Sequence, residues 1–202
     1  MTVHRISEIG SYASNMYLLI GDGIGAVVDP SLPYERLLPY LPDEPIKIAY
    51  CFVTHAHFDH FLEAEDILAH TGARLIVGGP DAHALANGML NASYYFLGQP
   101  LTYDGAYEVA SEADTFSLGS DTLRVLHTPG HSRGSITLSC EGALFVGDVM
   151  FEGGSYGRTD LVGGDGAVLR ETILRLLQLP GDPTVYAGHG RPFLLSSYEK
   201  YL

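Results

Sequence analysis

The 202-residue sequence has few cysteines and few basic residues. Its two cysteines, Cys51 and Cys140, each lie in an apolar run, so we expect small core residues in a reducing compartment rather than a disulfide pair. Only 11 lysines and arginines stand against 24 acidic residues, and the net charge of −13 would repel a phosphodiester backbone. Nucleic acid is therefore not an expected partner, and nuclease activity is disfavoured.

Long hydrophobic segments are also absent. No run of about 18 apolar residues occurs, which a membrane-spanning helix would need. Residues 1–7 do not combine a basic start with an apolar stretch, as a secretion signal would. We therefore expect a cytoplasmic protein without membrane association. With 46% hydrophobic residues, residues 1–202 suffice for a single catalytic domain with a substantial core.

Potential metal ligands are concentrated directly after the apolar run 46–53, which we interpret as a buried strand. The residues that follow include His55, His57, Asp59 and His60. Imidazole nitrogen and carboxylate oxygen are common ligands of zinc and similar cations. The spacing of His55 and His57 can direct both rings at one point while the other two residues reach a second point. The pattern thus predicts two adjacent cations; the alternative is a polar loop without a metal.

Three later segments also place a potential metal ligand shortly after a strand-like run. A Pro-Gly turn sets His131 just beyond the strand-like stretch 122–126, and apolar runs end at a glycine followed at once by Asp148 and by His189. Glycine next to a ligand permits positive φ or close backbone approach, which a crowded site at the rim of a sheet would need. We expect these strand ends to converge on one site.

Two cations about 3.5–4 Å apart would carry more charge than their ligands offset. Asp59 and Asp148 are the only carboxylates in the set, so part of the positive charge of the two cations is not offset. This excess charge favours a shared hydroxide, which can attack a carbonyl. We assign both carboxylates as catalytic. No side-chain nucleophile is then needed. A thiolate, with a thiol pKa of about 8.5, leaves without a strong acid, whereas an amide nitrogen must be protonated. Thioesters fit best, and lactones and activated esters next.

The order H-x-H-x-D-H, P-G-H, G-D and G-H resembles the metallo-β-lactamase fold superfamily. The stretch 157–160, Gly-Arg-Thr-Asp, is similar to its glyoxalase II-like branch. The resemblance implies an α/β fold, a four-layer αββα sandwich of two mixed sheets with helices on the outer faces and metals at one edge. It also implies two divalent ions, with zinc favoured and iron or manganese as alternatives: His55, His57 and His131 would hold one ion, Asp59, His60 and His189 the second, and Asp148 would bridge them.

The glutathione-specific enzymes of that branch carry a basic C-terminal extension. Here only 13 residues follow His189, and their cations are Arg191 and Lys200. The chain more closely resembles the short, single-domain hydrolases of the branch. The resemblance therefore implies a thioesterase of the hydroxyacylglutathione hydrolase type acting on a small molecule, with the acyl group and thiol carrier open.

Weaker expectations concern residues outside the ligand set. Arg158 and Asp160 are expected to orient the bridging Asp148; alternatively, Arg158 binds a substrate carboxylate. The aromatic residues Tyr94, Tyr95 and Phe96 either line a substrate pocket or only cover the core.

Other functions remain open for the same residues. An iron-dependent persulfide dioxygenase would use His55, His131 and Asp148 as a facial triad. A lactonase, a β-lactamase and a metal-binding module without turnover are further alternatives. Export would be expected of a β-lactamase.

The pattern of apolar residues predicts several elements. Residues 16–20 and 25–29 form a hairpin, and the fold opens with these strands. Helices are expected over residues 33–41, 60–71 and 165–179, the second ending at Gly72.

Overall fold

The computed structural model describes residues 1–201, and the first part of the chain forms a mixed sheet of six strands in sequential order. The first three strands pair antiparallel and the others parallel. Parallel neighbours bring their carboxyl ends to one edge of the sheet. The strands are β1 Thr2–Ile6, β2 Met16–Gly21, β3 Ile24–Val28, β4 Lys47–Val53, β5 Arg74–Gly78 and β6 Glu108–Ala110.

The second sheet also has six strands in sequential order. Among its pairs, β10 and β11 run parallel and the others antiparallel. Its strands are β7 Thr115–Leu118, β8 Asp121–His127, β9 Ile136–Cys140, β10 Ala143–Gly147, β11 Thr184–Ala187 and β12 Phe193–Leu194.

Helices α1 (Ala64–Thr71), α2 (Ser93–Leu97) and α3 (Gly166–Leu176) join these strands. The Asp165 side chain caps α3 by accepting hydrogen bonds from two backbone N–H groups of its first turn. Short 3₁₀ helices complete the connections: Tyr34–Arg36, Leu38–Tyr40, Phe58–His60, Gly79–Ala84, Glu152–Gly154 and Leu195–Tyr201.

Apolar side chains form three clusters that define four layers. The inner faces of the two sheets pack together, with Phe52 and Phe145 at 0% exposure in that cluster. A second cluster lies outside the first sheet and includes Ile67 of α1, and a third lies outside the second sheet and includes Ile173 of α3. The expected αββα arrangement of two mixed sheets is confirmed. Among the described residues, no helix is both long and apolar enough to cross a bilayer.

Several local expectations are confirmed and others are wrong. The hairpin of β2 and β3 is present, but the strand β1 precedes it. β1 was not expected, because its residues do not alternate clearly between buried and exposed positions. The segment 33–41 forms two 3₁₀ helices instead of one helix, and Pro39 lacks the backbone N–H that a continuous helix would use. The helix expected from residue 60 begins at Ala64, although it ends at Gly72 as expected, with φ of 63°.

Candidate metal centre

The four ligand-bearing segments meet at one edge of the sandwich. The loop after β4 carries His55 to His60, the loop after β8 carries His131, and Asp148 and His189 follow β10 and β11. Two glycines make this crowding possible, as the sequence indicates. Gly147 has φ of 54°, and a Cβ atom on Gly188 would lie 2.3 Å from Asp148 Oδ1.

Three histidine rings form a compact donor group. His131 Nε2 lies 2.9 Å from His57 Nδ1 and 3.0 Å from His55 Nε2. All three residues are buried. Their donor atoms all lie within 4.8 Å of one another, as the ligands of a single cation would.

The other predicted ligands form a second group beside the first. Asp59 Oδ2 lies 3.2 Å from His189 Nε2 and 3.6 Å from His60 Nε2. Asp148 lies between the groups: one carboxylate oxygen is 3.4 Å from His60 Nε2, and the other is 3.7 Å from both His131 Nε2 and His189 Nε2. The structure thus brings together all seven residues that the sequence analysis selected.

The donor atoms fit a pair of cations. His131 Nδ1 donates to the Arg158 carbonyl (2.7 Å), and His60 Nδ1 donates to Asp29 Oδ2 (2.9 Å). Each bond leaves Nε2 for the cluster. The buried His60 Nε2 and Asp148 Oδ1 have no hydrogen-bond partner among the described residues. Unpaired buried polar atoms are costly, and a bound cation would satisfy both.

Asp29, which was not selected from the sequence, helps to orient two of the ligand histidines, His60 and His55. Its carboxylate accepts from the Thr54 backbone N–H (2.8 Å), the Thr54 hydroxyl (3.0 Å) and His60 Nδ1 (2.9 Å). The Thr54 hydroxyl oxygen in turn faces His55 Nδ1 at 3.2 Å. The sequence contained a local indication of this role, because Asp29 directly follows the apolar run of β3, and β3 pairs with β4, the strand that leads to the ligand loop.

We expect Asp29→Asn to lower the free energy of unfolding of the metal-free protein by about 3 kcal/mol, because it removes the charge that faces a buried, protonated His60. Asparagine tolerates the φ of 55° at this position. Chemical denaturation measures the change. The matched control is Glu108→Gln, which breaks the exposed Arg74–Glu108 pair (3.1 Å) and should cost no more than about 1 kcal/mol. Equal losses in the two variants would contradict this assignment.

The two donor groups differ in protonation in the metal-free protein. Burial, with help from neighbouring imidazoles, lowers the pKa of His57 to about 3 and holds the pKa of His55 well below its usual value. Burial also opposes the charged form of His60, but the carboxylates of Asp29, Asp59 and Asp148 outweigh it and hold the His60 pKa well above its usual value. His55 and His57 of the first group are therefore ready to bind a cation, whereas His60 of the second group must first lose a proton.

A cavity of about 460 Å³ opens onto the cluster. It is lined by five of the seven ligand residues and by an aromatic wall in which Phe58 stacks on Phe96 (5.8 Å between centroids) and meets Tyr12 edge-on (5.9 Å). Phe96 thus lines the pocket as expected. Tyr94 and Tyr95, on the same helix, are 51% and 58% exposed and are not among the residues that line it.

Arg158 and Asp160 do not orient the bridging carboxylate. Their side chains are exposed and pair with each other through bonds of 2.6 and 2.7 Å. The contribution of Arg158 to ligand positioning comes from its backbone carbonyl, which holds His131. Because the Arg158 side chain also lines the cavity, the alternative role of contacting substrate fits its position.

A family model described as the metallo-beta-lactamase superfamily matches residues 9–189. The chain belongs to this superfamily. A probable metallo-hydrolase of Bacillus subtilis, YqgX, is 32% identical over 189 residues, covering 92% of this chain and 89% of that protein. The hydroxyacylglutathione hydrolase of Rhodospirillum rubrum is 29% identical, covering 94% of this chain and 66% of that enzyme. Membership of the superfamily supports a metal-dependent hydrolase.

Solved structures of superfamily members superpose over nearly the whole chain. The B3 metallo-beta-lactamase BLEG-1 has a TM-score of 0.89 and 31% identity, covering 98% of this chain and 97% of that one. TTHA1623 in a di-iron-bound form has a TM-score of 0.82 and 26% identity, with 96% of each chain covered. The fold of this superfamily member is therefore shared with structures that have already been solved.

Proposed function

We propose that the protein is a cytoplasmic hydrolase that uses two divalent cations, with zinc as the favoured metal, to cleave a small thioester or related ester. The observation that carries the proposal is the position of Asp148 between two complete donor groups, with its oxygens 3.4 to 3.7 Å from histidines of both. His55, His57 and His131 would hold one cation, and Asp59, His60 and His189 the other. The likeness to a di-iron protein supports a dinuclear site and leaves iron as an alternative metal.

Cations bound there would supply Lewis acidity, which acidifies water and polarises a carbonyl oxygen. The chain's own residues orient the reactants. Asp59 and Asp148 line the cavity, where their carboxylates can accept hydrogen bonds from water. The aromatic wall excludes solvent from one side of the acyl group. Arg158 is half-exposed at the cavity and can bind an anionic part of the substrate.

The lining of the cavity favours a good leaving group. Outside the ligand cluster, the described residues that line it include no histidine and no carboxylate. An amide nitrogen would thus lack a dedicated acid of either type, whereas a thiolate, with a thiol pKa of about 8.5, needs none. The likeness to a hydroxyacylglutathione hydrolase supports the same substrate class.

The stretch Gly153–Gly157 matches the G-x-S-x-G pattern of serine hydrolases, but its structure is different. A nucleophile elbow places its serine on a sharp turn between a strand and a helix. Here Ser155 is exposed, has extended φ and ψ of −82° and 165°, and follows a 3₁₀ helix. A serine nucleophile is therefore not part of the proposal.

The test combines metal analysis with a substrate panel, using protein purified without a histidine tag. We expect two metal ions per chain and hydrolysis of thioesters in preference to peptides, with activity lost to a chelator and restored by zinc. Failure of the metal-loaded protein against thioesters, lactones and esters would instead favour a binding module without turnover. One iron per chain with oxygen uptake on a persulfide would indicate the dioxygenase.

β-Lactam hydrolysis is the second candidate. It is favoured by the 31% identity and 0.89 TM-score of a protein described as a B3 metallo-beta-lactamase. A β-lactam belongs in the same panel as the thioesters. Faster turnover of the β-lactam than of every thioester would reverse the order of the two candidates.

A further inference from the structure

A second buried carboxylate, that of Asp81, lies between the two loops that carry the three-histidine group. Asp81 is 6% exposed and belongs to the 3₁₀ helix Gly79–Ala84, which follows β5. Its Oδ2 accepts from the Ala56 backbone N–H (3.2 Å) and from the Ser132 hydroxyl (2.6 Å). Its Oδ1 accepts from the Gly134 backbone N–H (2.6 Å). One side chain therefore bonds the residue beside His57 and two residues just after His131.

Next to these hydrogen bonds, a cavity of about 180 Å³ lies between parts of the two loops, and His57, Asp81 and Ser132 all line it. The loop after β8 also approaches Asp81 at backbone distance, since a Cβ atom on Gly134 would lie 2.4 Å from the Asp81 nitrogen. Hydrogen bonds to one carboxylate thus join the two loops on this side of the cluster.

We propose that Asp81 is a positioning residue that sets the separation of His57 and His131, and with it the affinity of the three-histidine group for its cation. This inference rests on the proposed function, because it requires that the cluster binds metal. Asp29 has the corresponding position at the other group, through its bond to His60 (2.9 Å). Asp29 reaches the three-histidine group only indirectly, through the Thr54 hydroxyl that faces His55 Nδ1 (3.2 Å). Asp81 and Asp29 therefore each act most directly on a different donor group.

The Asp81→Asn variant tests this because it keeps the shape and changes only the acceptors. A carboxylate accepts all three bonds, whereas an amide accepts through one oxygen only. Its NH₂ donor faces the Gly134 N–H in one orientation, and the Ala56 N–H and the Ser132 hydroxyl in the other. We expect the Kd of the first Zn²⁺ to rise about 10- to 100-fold, the usual effect of removing a partner that orients a metal ligand. The Kd of the second Zn²⁺ should change by less than about threefold, because its supporting carboxylate is intact.

The measurement is competition of Zn²⁺ with a chelator of known affinity, followed by the visible spectrum on titration with Co²⁺. In the wild type, the first Co²⁺ equivalent should give the absorption of the three-histidine group. In Asp81→Asn that absorption should weaken or shift, whereas in Asp29→Asn the response to the second equivalent should change more than the response to the first. A merely structural role for Asp81 would not separate the two equivalents in this way.

Asp182→Asn is the matched control. Asp182 also joins two segments, accepting from the backbone N–H and the hydroxyl of Ser196 at 2.8 Å each, but it lies at the opposite end of β11 from His189. This variant should bind both Zn²⁺ ions as the wild type does. Thermal unfolding of each metal-free variant shows whether it is folded.

Three results distinguish the hypotheses. A folded Asp81→Asn protein with wild-type Kd for both ions, or with both affinities weakened equally, would overturn this inference alone. A wild-type protein that binds no metal would overturn the proposed function as well. If Asp81→Asn does not fold, Ser132→Ala decides, since it removes one of the three bonds and should weaken the first Zn²⁺ about fivefold; an unchanged Kd would overturn the inference.

Discussion

Replacing Asp148 with alanine is expected to reduce hydrolysis at least about a thousandfold, to the limit of detection. Asp148 is the side chain whose oxygens face both donor groups, at 3.4 Å from His60 and 3.7 Å from His131 and His189. Its loss would remove a ligand from both cations together. A cation contributes several kcal/mol of transition-state stabilisation, and each 1.36 kcal/mol is tenfold in rate.

His57→Ala is expected to have a similar effect for a different reason. It removes one of three donors from a single group, so one metal equivalent should be lost while the other is retained. Steady-state rates and metal content measured on the same preparations test both variants. The surface variants His70→Ala and Asp182→Ala are controls, since neither residue belongs to the cluster. Full activity in either cluster variant, with both metal ions bound, would refute the site assignment.

Binding of the second cation is expected to strengthen at least about tenfold for each pH unit up to the pKa of His60 and then to level off. The dependence is steeper while His189 is also protonated, because burial disfavours its charged ring but the bond to Asp59 raises the His189 pKa above its usual value. Burial disfavours the protonated ring, but Asp29, Asp59 and Asp148 raise the His60 pKa well above its usual value in the metal-free protein. The proton and the cation compete for Nε2. A group with a raised pKa keeps its proton as the pH rises through 7, so lower pH favours the proton over the metal.

The first cation should show a weaker dependence on pH. The pKa of His57 is lowered to about 3 and that of His55 is well below its usual value, chiefly by burial, so neither ring must lose a proton at neutral pH. Calorimetric titration with Zn²⁺ at pH 6, 7 and 8, in buffers of different ionisation enthalpy, counts the protons released with each equivalent. Asp29→Asn should reduce the number released with the second. Equal proton release for both equivalents in the wild type would contradict the assignment.

The sequence alone was sufficient to select the seven candidate ligands that the structure brings together. Each lies in a loop that follows a strand, and local patterns show some of these strand ends: an apolar run, a glycine, then a histidine or aspartate, as at Asp148 and His189. The resemblance carried by that order also predicted the two mixed sheets, because members of one superfamily share its fold. Short or half-exposed strands such as β1 and β6 have no such pattern and were not predicted.

Only the tertiary structure decided which residues support the ligands. Asp81 is separated along the chain from its partners Ala56 and Ser132 by 25 and 51 residues, and no local pattern reports such a contact. The side chain of Arg158 turns to Asp160, and its carbonyl holds His131 instead. Phe96 faces the cavity while Tyr94 and Tyr95 of the same helix are exposed to solvent, since a helix directs successive side chains about 100° apart. Ligand identity is a local property of the chain, whereas orientation and protonation depend on which distant groups the fold brings within bonding distance.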